Sequence, residues 1–174
     1  MLFAKGSTDN LSDVAQAIYV WIKEIASIQT MQIRFKFFAP TEAGKAHKAG
    51  TYVEYKWQVL KAYWEETEKY MQESFPSPTP LIEAAMQRPE LRMLFPFTSH
   101  NELCFSRTTG FPFTTHDCPH AIPLGNGRFR AYSAKFIGEG TINEVIEMLV
   151  NHLPPNCGPA VNGPAYDFVK NNES

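Results

Sequence analysis

Apolar residues recur at Leu11, Val14, Ala15, Ile18, Trp21, Ile22 and Ile25, the i, i+3, i+4, i+7 spacing that lines one face of a helix. With Asn10 or Ser12 as its cap, this predicts a helix over about residues 11–28. Apolar and charged residues then alternate through IRFKFF (33–38), the two-residue period of a short strand or an extended connection. Thr41 opens an alanine-rich stretch that Gly50 closes, a short helix with glycine just past its end. The longest helix is predicted from Tyr52 to about Ser74. Val53, Trp57, Leu60, Trp64 and Met71 make one stripe on it and Tyr52, Val59, Tyr63 and Tyr70 a second, so cover on more than one side is expected. The run FPSPTP (75–80) breaks this helix, and Thr79-Pro80 starts another over 81–88 that Pro89 stops.

Beyond residue 94 the period shortens. In ELCFSR, Leu103 and Phe105 fall on one face of a strand and Cys104 and Ser106 on the other. Gly125-Asn126-Gly127 between extended runs marks a hairpin, because both central residues of a type I′ turn need φ > 0. Phe129 and Ala131 then face one way, Arg128 and Arg130 the other. Thr141 and Glu144 form a capping box that launches a helix over 141–153, with Val145, Ile146, Leu149 and Leu153 inward, ahead of a tail rich in glycine and proline. A helical part (about 10–93) followed by a strand-rich part (95–137) and a last helix predicts an α+β fold. Its N-terminal helices pack on a small, mainly antiparallel sheet, in a single globular domain over 1–174.

A hexamer occurs twice, as FPFTSH (95–100) and FPFTTH (111–116). Proline keeps the residue before it extended, so each copy is an extended segment with two large anchors. A strand and a turn centred on Thr108-Thr109-Gly110 separate them, which should bring the second copy back beside the first with Phe97 and Phe113 in one cluster.

Charge removes several function classes. Sixteen basic against 18 acidic residues leave no basic stripe for nucleic acid, and no apolar run reaches the ~18 residues of a membrane span. Three cysteines without a C-x-x-C spacing predict reduced thiols and a cytoplasmic protein. Thirteen Phe, seven Tyr and three Trp are many for one small core, which raises homo-oligomerisation as an expectation.

The chemistry-bearing residues gather around the repeat. His116, Cys118 and His120 share one face of an extended segment and are zinc-type ligands, but their i, i+2 spacing of about 6–7 Å keeps all three from one ion. A site would need two of them plus His100 or Asp117, and the expected cofactor is none. Ser99 and His100, as neighbours, point to opposite faces and cannot form a nucleophile–base dyad. Cys104 could reach His100 or His116, yet its place between Leu103 and Phe105 predicts a buried, inert thiol. Arg107, Arg128 and Arg130 could hold an anion with Ser99 and His100.

Arg92-x-Leu94-Phe95-Pro96-Phe97-Thr98-Ser99-His100, Leu103-x-Phe105-Ser106-Arg107-x-Thr109-Gly110-Phe111-Pro112, Leu153-Pro154-Pro155 and Gly158-Pro159-Ala160 resemble an uncharacterised bacterial family loosely labelled natural product biosynthesis protein, over about residues 11–168. That resemblance implies kinship and no reaction. The reading is therefore a binding or interaction module with a protein or small-molecule partner, built around the FPFTSH strand and the exposed aromatics of the long helix. The alternative is a small enzyme or enzyme accessory acting on a polar or anionic metabolite, with His100 as acid or base and Arg107 as anchor.

Overall fold

The computed structural model describes residues 2–71, 75–114 and 117–166, and the chain divides into two compact units, residues 1–55 and 56–174. In the first, β1 (Ala4–Gly6) pairs antiparallel with β2 (Phe38–Pro40). Between them lie α1 (Leu11–Lys23) and α2 (Ile28–Arg34), and α3 (Glu42–Ala49) follows. Asn10 caps α1, its side chain accepting from Ser12 N at 2.9 Å.

The first helix stops at Lys23, short of the expected residue 28, because Ile25 takes a left-handed φ of 49° that a helix cannot continue through. The strand expected over 33–38 is also corrected. Ile33 and Arg34 end α2, and strand geometry begins only at Phe38. The helical period wins because Ser27 caps the segment, accepting from Thr30 N at 3.1 Å, and because Met31 and Phe35 then fall one turn apart against Ala17 and Val20 of α1. Thr41 and Gly50 bound α3 as expected, the glycine at φ 73°.

Helix α4 (Tyr52–Glu68) carries the chain into the second unit; the Gln72–Ser74 end of the helix expected there lies outside the described residues. Trp57, Leu60 and Trp64 of α4 are buried. Trp57 Nε1 donates to the carbonyls of Arg92 (2.9 Å) and Leu94 (3.2 Å), and Trp64 Nε1 donates to Thr98 Oγ1 (3.2 Å). These bonds satisfy buried indoles and fix the height at which the first strand leaves. Of the second expected stripe, Tyr52 is buried and Val59 half-buried, while Tyr63 and Tyr70 are exposed. Helix α5 (Thr79–Met86) buries Leu81, Ile82 and Ala85, and Pro89, after ending it, opens the single turn α6 (Pro89–Arg92).

The sheet is an antiparallel meander of β3 (Phe95–Ser99), β4 (Glu102–Ser106), β5 (His120–Gly125), β6 (Arg128–Tyr132) and β7 (Phe136–Gly140), in that order. Helix α7 (Ile142–Asn151) follows from the capping box, in which Glu144 Oε2 accepts from Thr141 N at 2.7 Å, and packs on β5–β7 and α5. The fold is thus α+β, with the five-stranded antiparallel sheet in the second half and the final helix as expected. Asn126 and Gly127 have φ of 52° and 69° between β5 and β6, the hairpin geometry their sequence predicts. Leu103, Phe105, Ala121, Phe129 and Ala131 point into the core. The alternate residues Cys104, His120, Arg130 and Tyr132 make the opposite face of the sheet.

The described part of the second hexamer, residues 111–114, returns as expected. Thr114 closes the loop: its N–H donates to Ser106 Oγ (3.1 Å) and its Oγ1 accepts from Arg107 N (2.7 Å). Phe113 stacks on Phe97 with centroids 4.8 Å apart and meets Phe95 at 5.6 Å. Both central rings of this cluster are half-buried.

Candidate functional site

Concavities stand out in both units, two in the first, of about 630 and 520 Å³, and a smaller one in the second. The second unit carries a small cleft of about 260 Å³ on the open face of the sheet, lined by Phe97, Ser99, Glu102, Cys104, Phe105, Cys118 and His120. The pairing Ser99↔Glu102 and Phe97↔Cys104 sets the first four side by side on β3 and β4. His120 Nε2 lies 3.8 Å from Glu102 Oε2, and its ring stacks on Tyr132 with centroids 5.4 Å apart. At that separation the two form an ion pair when His120 is protonated, without a direct hydrogen bond. Burial and the charge of Glu102 push the Cys104 thiol up to about 12, so it stays protonated at neutral pH.

Four residues singled out from the sequence, Ser99, Cys104, Cys118 and His120, thus meet in one cleft, and the other described candidates, His100, Arg107, Arg128 and Arg130, are not among its lining residues. His100 sits exposed in the β3–β4 turn at φ 56°. Arg107 pairs with Asp117 at 3.2 Å. Arg130 Nε binds Glu139 Oε1 at 2.6 Å and its Nη1 donates to the Tyr132 hydroxyl at 3.2 Å, while Arg128 is exposed at the start of β6. The three arginines do not converge. His116 lies outside the described residues, and among those described no group of three or more His, Cys, Asp or Glu side chains is placed to hold a metal ion. No described helix is long and apolar enough to cross a membrane.

The first unit holds the larger concavity, a groove of about 630 Å³ between α1 and the β1–β2 ribbon. Phe3, Val14, Ile18, Trp21, Ile22 and Phe38 form its walls, with Ser7 and Thr8 also lining it. Trp21 and Phe38 face each other with centroids 6.0 Å apart. Thr8 Oγ1 accepts from Asn10 N at 3.2 Å, which leaves its O–H free to donate. Along α1 the exposed large apolar residues are Leu11 (81% exposed), Ile18 (54%), Tyr19 (61%), Trp21 (42%) and Ile22 (63%), followed by Ile25 (87%) just past its end. The stripe read from the sequence is real, but it borders this groove, and the residues α1 buries are Ala17 and Val20. Neither Glu102 nor the groove's Phe3 and Phe38 stood out in the sequence. A signal was present in the tryptophan on the α1 stripe, since a groove-lining indole is a common ligand contact.

A family model described as a family of unknown function (DUF6193) matches residues 51–164. No curated protein and no solved structure matches the chain.

Proposed function

We propose that this chain, which belongs to the family of unknown function DUF6193, is a binding module whose groove in residues 2–38 takes an apolar or aromatic group of a small-molecule ligand. The groove itself carries the reading. Its volume of about 630 Å³ falls in the ~300–1,000 Å³ range of ligand pockets, and apolar walls with two hydroxyl side chains are the usual lining of such sites. Seating one aromatic ring of ~150 Å² would contribute about 4 kcal/mol at ~25 cal/mol per Å², before the cost of immobilising the ligand is subtracted. The groove lies outside the residues the family model matches, so the proposal concerns this chain and not the family.

The test is titration with the fluorescent probe anilinonaphthalene sulfonate, comparing the parent with Ile18→Glu. Ile18 lines the groove and is more than half exposed, so a carboxylate there leaves the fold intact and repels the anionic probe. About tenfold weaker binding with an unchanged circular dichroism spectrum is expected. Equal affinity in the two proteins would refute the reading.

A second reading, a small enzyme or enzyme accessory for a polar or anionic metabolite, is favoured by the Glu102–His120 pair in the sheet-face cleft. His120 takes the acid–base part there, in place of the exposed His100. Ring-proton shifts of His120 on titration with small carboxylates and phosphates would support it, and an unmoved His120 would remove it.

A further inference from the structure

The groove of the first unit does not end at Trp21. Phe3 and Trp21 line it and also line the second hollow of that unit, about 520 Å³ between α2 and α3. The two differ in chemistry. No described side chain lining the groove carries a charge, whereas Lys45, His47 and Lys48 line the second hollow and no described carboxylate does.

Local contacts hold the two hollows together. A Cβ on Gly44, in the first turn of α3, would lie 2.0 Å from Phe3 O, so only glycine lets the start of the chain approach this helix. Thr41 N donates to Phe3 O at 2.9 Å and Thr41 Oγ1 to Leu2 O at 2.6 Å, which anchors that approach. The Phe3 ring then packs on His47 and Tyr52, with centroids 5.0 and 5.2 Å away, and sets the imidazole at the boundary between the hollows. Lys45 and Lys48 lie one turn apart on the same side of α3. Lys45 Nζ pairs with Glu42 Oε1 at 2.6 Å, but Lys48 Nζ reaches only the neutral Gln29 Oε1, at 3.5 Å, and has no ion-pair partner among the described residues. Its charge is therefore left for a ligand.

We propose that the ligand of this unit is an amphipathic organic anion, its aryl or acyl body in the groove and its acidic group in the second hollow beside Lys48. The proposal rests on the groove reading and adds the class of ligand. Phe3 and Trp21 meet the junction of body and head, since they are the walls that the two hollows share. The Lys48 ammonium supplies the opposite charge. Gln29, whose Oε1 faces that ammonium, keeps its amide N–H groups to donate to the anion. An apolar amine of the same shape is rejected, because its ammonium would meet Lys48 with no carboxylate in the lining to offset the repulsion.

The test uses two fluorescent probes with the same rings, anilinonaphthalene sulfonate and the uncharged N-phenylnaphthylamine, titrated into the full-length parent and Lys48→Glu. The variant is expected to bind the sulfonate about tenfold more weakly, less so at high salt, and the uncharged probe as the parent does. Lys48→Gln removes the charge without reversing it and should weaken the sulfonate about threefold, which keeps the test open if the reversal disturbs the end of α3. Lys23→Glu, the same change of charge at an exposed residue that lines neither hollow, should alter neither probe by more than about twofold. Equal effects of Lys48→Glu on the two probes, or a loss of sulfonate binding in Lys23→Glu as large as in Lys48→Glu, would overturn the proposal while Ile18→Glu still weakens both probes and the groove reading stands. An uncharged probe indifferent to Ile18→Glu would overturn both.

Discussion

Helix α7 buries Val145, Ile146 and Leu149 against the sheet, none of them more than 4% exposed, whereas α1 leaves Ile18, Trp21 and Ile22 open around a groove. Both helices begin with a proper cap and both carry an apolar stripe at helical spacing. The difference lies in what each unit supplies to cover the stripe. The second unit offers α7 a five-stranded sheet whose inward residues are already large. The first offers α1 the short helix α2, whose Met31, with Phe35 just past its end, covers Ala17 and Val20, and a ribbon of two three-residue strands that leaves the rest open. An amphipathic face requires a cover and does not specify one; where the fold lacks it, a ligand can serve.

Substitutions ought to separate the two stripes by their cost. Leu149→Ala in α7 removes a fully buried side chain and should lower stability by about 3 kcal/mol, read from urea unfolding followed by circular dichroism. Phe113→Ala opens the half-buried cluster with Phe97 and Phe95 and should cost about 2 kcal/mol, less than a buried ring because part of its surface already meets water. Gly110→Ala forces the tail segment away from residues 107–112 and should cost about 1.5 kcal/mol, with faster amide exchange at Val161 and Gly163 than in the parent. Ile22→Ala on the open stripe of α1 should change stability by under about 0.5 kcal/mol. A cost for Ile22→Ala near that of Leu149→Ala would erase the distinction between the helices.

What the sequence made legible is what local chemistry decides. The Asn126-Gly127 hairpin, the Thr141–Glu144 box, the Gly50 terminus and the return of Phe113 onto Phe97 each follow from a few adjacent residues and their backbone preferences. IRFKFF misled because Met31 and Phe35 fit a helical face while Ile33, Phe35 and Phe37 fit an alternating one, and only contact with α1 chooses between them. The ribbon of β1 and β2 is too short to leave a period at all. Of the candidate site, Cys118 and His120 shared a face by alternation and do line one cleft, which Ser99 and Cys104 join through the register of β3 on β4. Arg107, Arg128 and Arg130 scattered because their partners, Asp117 and Glu139, are set by register and loop path.

The claim that the α1 stripe serves binding and not folding meets its most direct test in the double substitution Ile18→Ser with Ile22→Ser, measured for both urea midpoint and anilinonaphthalene sulfonate affinity. The account predicts a midpoint within error of the parent and binding weakened by about tenfold or more. A midpoint lowered as far as in Leu149→Ala, with probe binding unchanged, would show the stripe to be core and contradict it.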